Sequence, residues 1–143
     1  MKITTVELWS DGACKNNGTS KAVAAYGTIV KAGNYEKEII GRVNGEQTNN
    51  RAELAGVIAG LSVLKYPCTV KVYTDSQVVC CAPACISRGY RTSAKKPAAN
   101  IDLLKELATL LDKHSVTFEK VTGHTGISMN ERCDALASKA CFT

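Results

Sequence analysis

A helix-period run lies between two strand-period runs in this chain, and that order restricts the fold more than any other feature. Leu54, Val57, Ile58, Leu61 and Leu64 recur at helical spacing across Asn49 to Leu64, with Thr48 placed to cap the start. Ahead of it, Thr4 to Ser10 sets Val6 and Leu8 on one strand face, and behind it Val70 to Thr74 is another apolar strand. A strand–helix–strand crossover seats the later strand parallel to a neighbour. Two more runs, Ala24 to Lys31 and Tyr35 to Val43, are joined by the hairpin signal Ala32-Gly33-Asn34, so the first three strands predict an antiparallel meander.

Downstream, Leu103, Leu104, Leu107, Leu110 and Leu111 mark a helix from about Asn100 to His114. Val116 to Val121 reads as a fifth strand, Gly126 to Met129 as a loop, and Asn130 to Lys139 as a closing helix. Pro83, Gly89 and Pro97 interrupt Val78 to Ala99, where Val78 to Ser87 predicts at most a short helix or loop. The expected fold is α/β: a mixed five-stranded sheet in the order βββαβ, an irregular segment, then αβα, with flanking helices and a single domain over residues 1–143.

At 143 residues and 45% hydrophobic, the chain can bury a core without staples, and no apolar stretch is long enough to span a bilayer. The start has no apolar signal core, which together with seven cysteines (an odd number, lacking paired zinc-knuckle spacing) predicts a reducing cytoplasm and free thiols. Net charge is +5, and Arg88, Arg91, Lys95 and Lys96 fall in a stretch between Asp75 and Asp102 with no acidic residue. Alone, such a patch is a solvated loop; beside a carboxylate metal site it suits a polyanion.

Four acids occupy separate segments that would expose them. Asp11 follows the first strand into a turn, Glu53 lies early in the first helix, Asp75 ends the Val70–Thr74 run, and Asp134 heads the last helix. Asp11 and Asp75 emerge at one sheet edge if their strands are parallel neighbours. Brought together, four carboxylates form an oxygen cage for hard divalent cations, here two Mg2+ ions with Mn2+ as a possible substitute, and such a pair serves hydrolysis of phosphodiesters. His124, between glycines in Thr-Gly-His-Thr-Gly, suits proton transfer from a loop. Taken singly, each Asp reads as a turn or cap residue, His124 as a surface residue, and Asn49, Asn50 and Asn130 as helix-start residues.

In combination, Asp11-Gly-Ala-Cys, Thr48-Asn-Asn-Arg-Ala-Glu-Leu, Tyr73-Thr-Asp-Ser-Gln, the Arg88-Gly-Tyr-Arg-Thr to Lys95-Lys-Pro run, and Gly123-His-Thr-Gly through Asn130-Glu-Arg-Cys-Asp resemble type I ribonuclease H, in family order over nearly the whole chain. That resemblance implies a metal-dependent endoribonuclease cutting the RNA strand of RNA–DNA hybrids and leaving 5′-phosphate and 3′-hydroxyl ends. By the same likeness, Asp11, Glu53, Asp75 and Asp134 are the metal-binding carboxylates and His124 the mobile histidine. Glu131 matches an acid that tunes metal occupancy or product release. Asn17, Asn49, Asn50 and Gln77 match hybrid contacts, and Thr48 and Asn100 match a pocket for a DNA-strand phosphate.

Three departures accompany the likeness. Glu46 stands where many relatives carry an arginine in the phosphate pocket, with Arg42 or Lys2 as possible substitutes. The segment from Gln77 to Arg88 is shorter than the handle region of many bacterial members, which predicts weaker or more salt-dependent hybrid affinity. No separate hybrid-binding domain is expected. The expected working form is a cytoplasmic monomer with an RNA–DNA hybrid as partner and no membrane. Alternatives are a non-catalytic hybrid-binding module, a nuclease of the same architecture acting on other duplexes, and a domain of a larger replication or reverse-transcription assembly.

Overall fold

The computed structural model describes residues 4–121 and 128–142. In chain order the elements are β1 (Thr4–Lys15), β2 (Val23–Ala32), β3 (Tyr35–Arg42), α1 (Asn49–Ser62), β4 (Cys68–Thr74), α2 (Gln77–Ser87), α3 (Ile101–Lys113), β5 (Ser115–Lys120) and α4 (Ser128–Cys141). The strands form one mixed sheet ordered β3-β2-β1-β4-β5. β1 pairs antiparallel with β2, while β4 is parallel to β1 on its other side, as the crossover through α1 requires.

The two faces of β1 carry different partners. Val6 and Leu8 are buried in a core shared with Leu54, Val57 and Leu61 of α1 and with Leu104 and Leu107 of α3. Close approach on that face depends on glycines: a Cβ on Gly60 would sit 2.5 Å from Leu8 Cδ1, and one on Gly56 would strike Ser10 Oγ. Ser10 and Thr28 hydroxyls lie 3.1 Å apart beneath the helix, and Thr28 Oγ1 donates to the Gly56 carbonyl at 2.8 Å. On the opposite face α4 packs against β1 and β2, with Ala25, Ala140 and Cys141 forming a smaller cluster. Asp11 thus stands in a sheet covered on both sides.

Three expectations about element bounds change. β1 does not stop at Ser10; it runs through Asp11 to Lys15, because β2 continues to pair with it from Gly27 opposite Asp11 to Val23 opposite Lys15. The segment after β4 forms an 11-residue helix despite Pro83, since Ser76 Oγ caps Val79 N and Val79 and Ala82 bury their side chains in the core. α4 begins at Ser128, so Ser128 and Met129 are helical and Asp134 lies in its second turn. All seven cysteines are free thiols, as the sequence predicts.

Candidate active site

Parallel pairing of β1 with β4 runs to Trp9 opposite Tyr73, whose rings stack with centroids 4.0 Å apart. Two residues further along come Asp11, still within β1, and Asp75, just past the end of β4, which the shared register delivers to the same sheet edge. Glu53 reaches them from the first turns of α1: its Oε1 accepts the Gly12 amide at 2.9 Å. Close apposition of α1 is again built on a glycine, because a Cβ on Gly12 would meet Glu53 N at 2.8 Å. Asp11, Glu53 and Asp75 each offer an oxygen, and these atoms lie within 4.8 Å of one another. Asp134 lines the same cleft from α4, opposite α1, along with Asn49, Asn50 and Gln77; its volume is about 420 Å³.

Burial and mutual repulsion shape the charge state of this cluster. Asp11 is raised well above the ordinary carboxylate range, first by burial, then by the Asp75 and Asp134 charges. Glu53 is raised further, by burial and then by Asp11. One Glu53 oxygen is bound by Gly12, but its Oε2 is buried without a hydrogen-bond partner among the described residues. An orphaned carboxylate oxygen beside two more acids is what a hard cation satisfies, and an all-oxygen donor set fits a divalent ion of the magnesium or manganese type. Behind Asp11, the Cys133 thiol is pushed up to about 12 by burial and by that carboxylate, so it stays protonated.

Other sequence-selected residues fall into neighbouring places. Asn17 and Thr48 line a separate hollow of about 350 Å³ together with Glu46. Thr48 Oγ1 also accepts the Arg51 amide at 3.1 Å as the α1 cap. Asn100, in the left-handed region at φ 62°, lines an apolar cavity that shares Asn50 with the carboxylate cleft. Gln77 is engaged by Lys120 Nζ at 2.7 Å and donates to Cys81 Sγ at 3.1 Å. Glu131 is exposed in the first turn of α4. Arg42, considered for the phosphate pocket, donates through Nε to the Ala140 carbonyl at 3.2 Å instead. His124 and Lys2 lie outside the described residues. Arg88, Arg91, Lys95 and Lys96 are all exposed, on α2's C-terminal end and the turn that follows.

The sequence-level reading overlooked Arg51. It is almost fully buried, with its guanidinium on Asp102. Its place three and seven residues before Leu54 and Ile58, on the apolar row of α1, is the signal that marks it, since arginine is rarely buried unpaired.

The RNase H family model matches residues 4–142. The chain belongs to the RNase H family. Ribonuclease H from Cupriavidus pinatubonensis is 45% identical over 139 residues, covering 94% of this chain and 93% of that protein. Membership makes the chain an enzyme, a ribonuclease of the hydrolase class, and implies dependence on divalent metal, for which Asp11, Glu53 and Asp75 are the candidate ligands. Among solved structures, LC9-RNase H1, a type 1 RNase H with the type 2 active-site motif, superposes with a TM-score of 0.79 at 22% identity, over 99% of this chain and 74% of that one. The same fold occurs in a foamy viral protease-reverse transcriptase solved in complex with RNA/DNA hybrid, with a TM-score of 0.67 at 18% identity, over 97% of this chain and 20% of that one. No helix among the described residues is long and apolar enough to cross a membrane.

Proposed function

We propose that this RNase H family member hydrolyses the RNA strand of RNA–DNA hybrids and leaves 5′-phosphate and 3′-hydroxyl ends. One observation carries the reading: three carboxylates from β1, α1 and the end of β4 converge within 4.8 Å, and one of their oxygens is buried without a partner among the described residues. Asp11, Glu53, Asp75 and Asp134 hold the metal. Two bound Mg2+ ions, or Mn2+ in their place, supply an activated water and stabilise the leaving oxygen. The chain's own residues do the rest.

Asn49 and Asn50 present exposed amides at the cleft wall, next to the acids. Amides on this wall suit recognition of 2′-hydroxyls and minor-groove edges, which separates RNA from DNA without reading sequence. Gln77 joins them, and Asn17 in the adjoining hollow extends the contact. Thr48 and Asn100 grip a phosphate of the DNA strand. His124 moves a proton to or from the reacting oxygen, and Glu131 governs metal occupancy or product release. Arg88, Arg91, Lys95 and Lys96 draw in the polyanion through counterion release. The enzyme acts as a cytoplasmic monomer, with its activity carried by one domain.

A labelled hybrid, double-stranded RNA and double-stranded DNA, each incubated with magnesium, manganese or chelator, tests the substrate and metal assignments. Only the hybrid's RNA strand should be cut, only with metal, and the products' 5′ ends should become labelled by kinase only after phosphatase treatment. Asp75→Asn should abolish cutting and keep hybrid binding; retained cutting rejects Asp75 as a ligand. Binding without any metal-dependent cutting by the unaltered protein would instead support the non-catalytic alternative.

A further inference from the structure

Arg51 lies beneath the candidate substrate surface, and its hydrogen bonds have a direction that matters. Nη1 donates to Asp102 Oδ1 at 2.9 Å and to Asn100 Oδ1 at 3.3 Å. Nη2 donates to Asp102 Oδ2 at 2.8 Å and to the Asn44 carbonyl at 2.9 Å. The residue is only 7% exposed, and its Nε has no partner among the described residues. Its own backbone amide is held by Thr48 Oγ1. A single side chain therefore ties the loop before α1, the first turn of α1 and the start of α3.

A guanidinium can only donate. The end of the Asn100 amide that faces Arg51 must be its oxygen, which leaves the NH2 group as the end without a protein partner among the described residues. Asn100 would ordinarily fold its side-chain oxygen onto the first turn of α3 as a cap, yet it makes no such bond. Its side-chain oxygen is committed to the Arg51 contact, while its left-handed backbone starts α3 through the Leu104 amide, which donates to the Asn100 carbonyl at 3.0 Å. The result is a preset donor at the rim of the cavity that shares Asn50 with the carboxylate cleft.

We propose that Arg51 is a positioning residue for the DNA strand of the hybrid, holding the Asn100 amide with its NH2 toward a backbone phosphate. This rests on the reading of the cleft given above. A reversed amide would turn a carbonyl oxygen toward an anion, so the sense of the amide decides between attraction and repulsion. Arg51 acts through Asn100 and does not itself touch substrate. Lysine at position 51 keeps the charge but lacks the fork that engages Asp102 and Asn100 together.

Arg51→Lys should raise KM for a hybrid about tenfold, the worth of one charge-assisted hydrogen bond, with a smaller change in kcat. Binding is then measured in the Asp75→Asn background, using hybrids that carry one uncharged methylphosphonate at successive DNA-strand positions. Protein with Arg51 intact should lose affinity at one position, and protein with Arg51→Lys should lose nothing further there. Asn100→Asp keeps an oxygen for Arg51 but replaces the donor with a negatively charged oxygen, and should bind more weakly than Asn100→Ala; this variant tests the donor even if Arg51→Lys folds poorly. If unaltered protein cuts hybrid but Asn100→Asp binds as tightly as Asn100, the positioning role is overturned. An unchanged KM and an unchanged methylphosphonate profile in folded Arg51→Lys would overturn it as well. If the unaltered protein does not cut hybrid at all, the functional reading itself falls.

Discussion

Replacing Gly27 with alanine should disable the site from the far side of the sheet. Gly27 pairs with Asp11 across β1 and β2, and α4 lies directly on it. A Cβ there would stand 2.5 Å from the Cys133 carbonyl oxygen, 2.6 Å from Leu136 Cβ and 2.8 Å from Ala137 N. Two of those three atoms are helix backbone, which cannot rotate away. To restore ordinary contact at 3.4 Å, the Cys133 carbonyl must retreat by about 0.9 Å, and Asp134 is the next residue. Overpacking of this kind costs about 1–3 kcal/mol. Misplacement of a catalytic group by about 1 Å costs on the order of 100-fold in rate.

Gly60→Ala is the matched comparison. Its Cβ would also come within 2.5 Å of an atom, but that atom is Leu8 Cδ1 on the α1 side, which can repack. Urea unfolding and single-turnover hybrid cleavage should therefore separate the two. Gly60→Ala should show a stability change with a nearly normal rate, and Gly27→Ala a stability loss with a rate about 100-fold lower while folded. A folded Gly27→Ala protein that cuts at the normal rate would refute the claim that the seat of α4 places Asp134.

Three further expectations concern charge. Because Asp11 and Glu53 bind protons more tightly folded than unfolded, metal-free protein should lose stability as pH rises from the ordinary carboxylate range through neutrality; saturating magnesium should flatten the slope of Tm against pH, and equal slopes would contradict the cation cage. Asp102 is held down to about 2 by its hydrogen bonds to Arg51, so that pair's stabilisation is complete above the ordinary value of 3.8 and lost as pH falls through about 2. Asp102→Asn should remove this acid sensitivity in a melting series, and an unchanged series would count against the pairing. Glu46→Arg, in the hollow with Thr48 and Asn17, should tighten hybrid binding at moderate salt and steepen its salt dependence by about one phosphate contact; no gain would mean that the hollow does not meet the backbone.

Much of this architecture was legible because its signals are periodic. Leu54, Val57, Ile58 and Leu61 fix α1 by spacing alone, and the crossover rule then makes β4 parallel to β1. That pairing alone brings Asp11 and Asp75 to one edge. What the sequence misjudged depends on partners distant along the chain. β1 continues past Ser10 because β2 stays paired with it to Val23, a matter of register that no local turn signal contains. α2 forms across Pro83 because Val79 and Ala82 find a core to enter. The importance of Arg51 was hidden for the same reason, since Asp102 and Asn100 lie some fifty residues away and meet it only after α3 docks.

The central position of β1 bears on how such a nuclease is made. Its antiparallel neighbour is available as soon as β2 has been synthesised, but its parallel neighbour arrives only after α1, and Asp134 only near the end. Until α1 and β4 follow, the nascent polypeptide has a hairpin meander whose β1 flank lacks its parallel neighbour. A polypeptide cut short before α4 therefore carries Asp11, Glu53 and Asp75 but lacks Asp134 and the helix that covers β1 and β2, so the floor of the cleft is made before the wall that closes it.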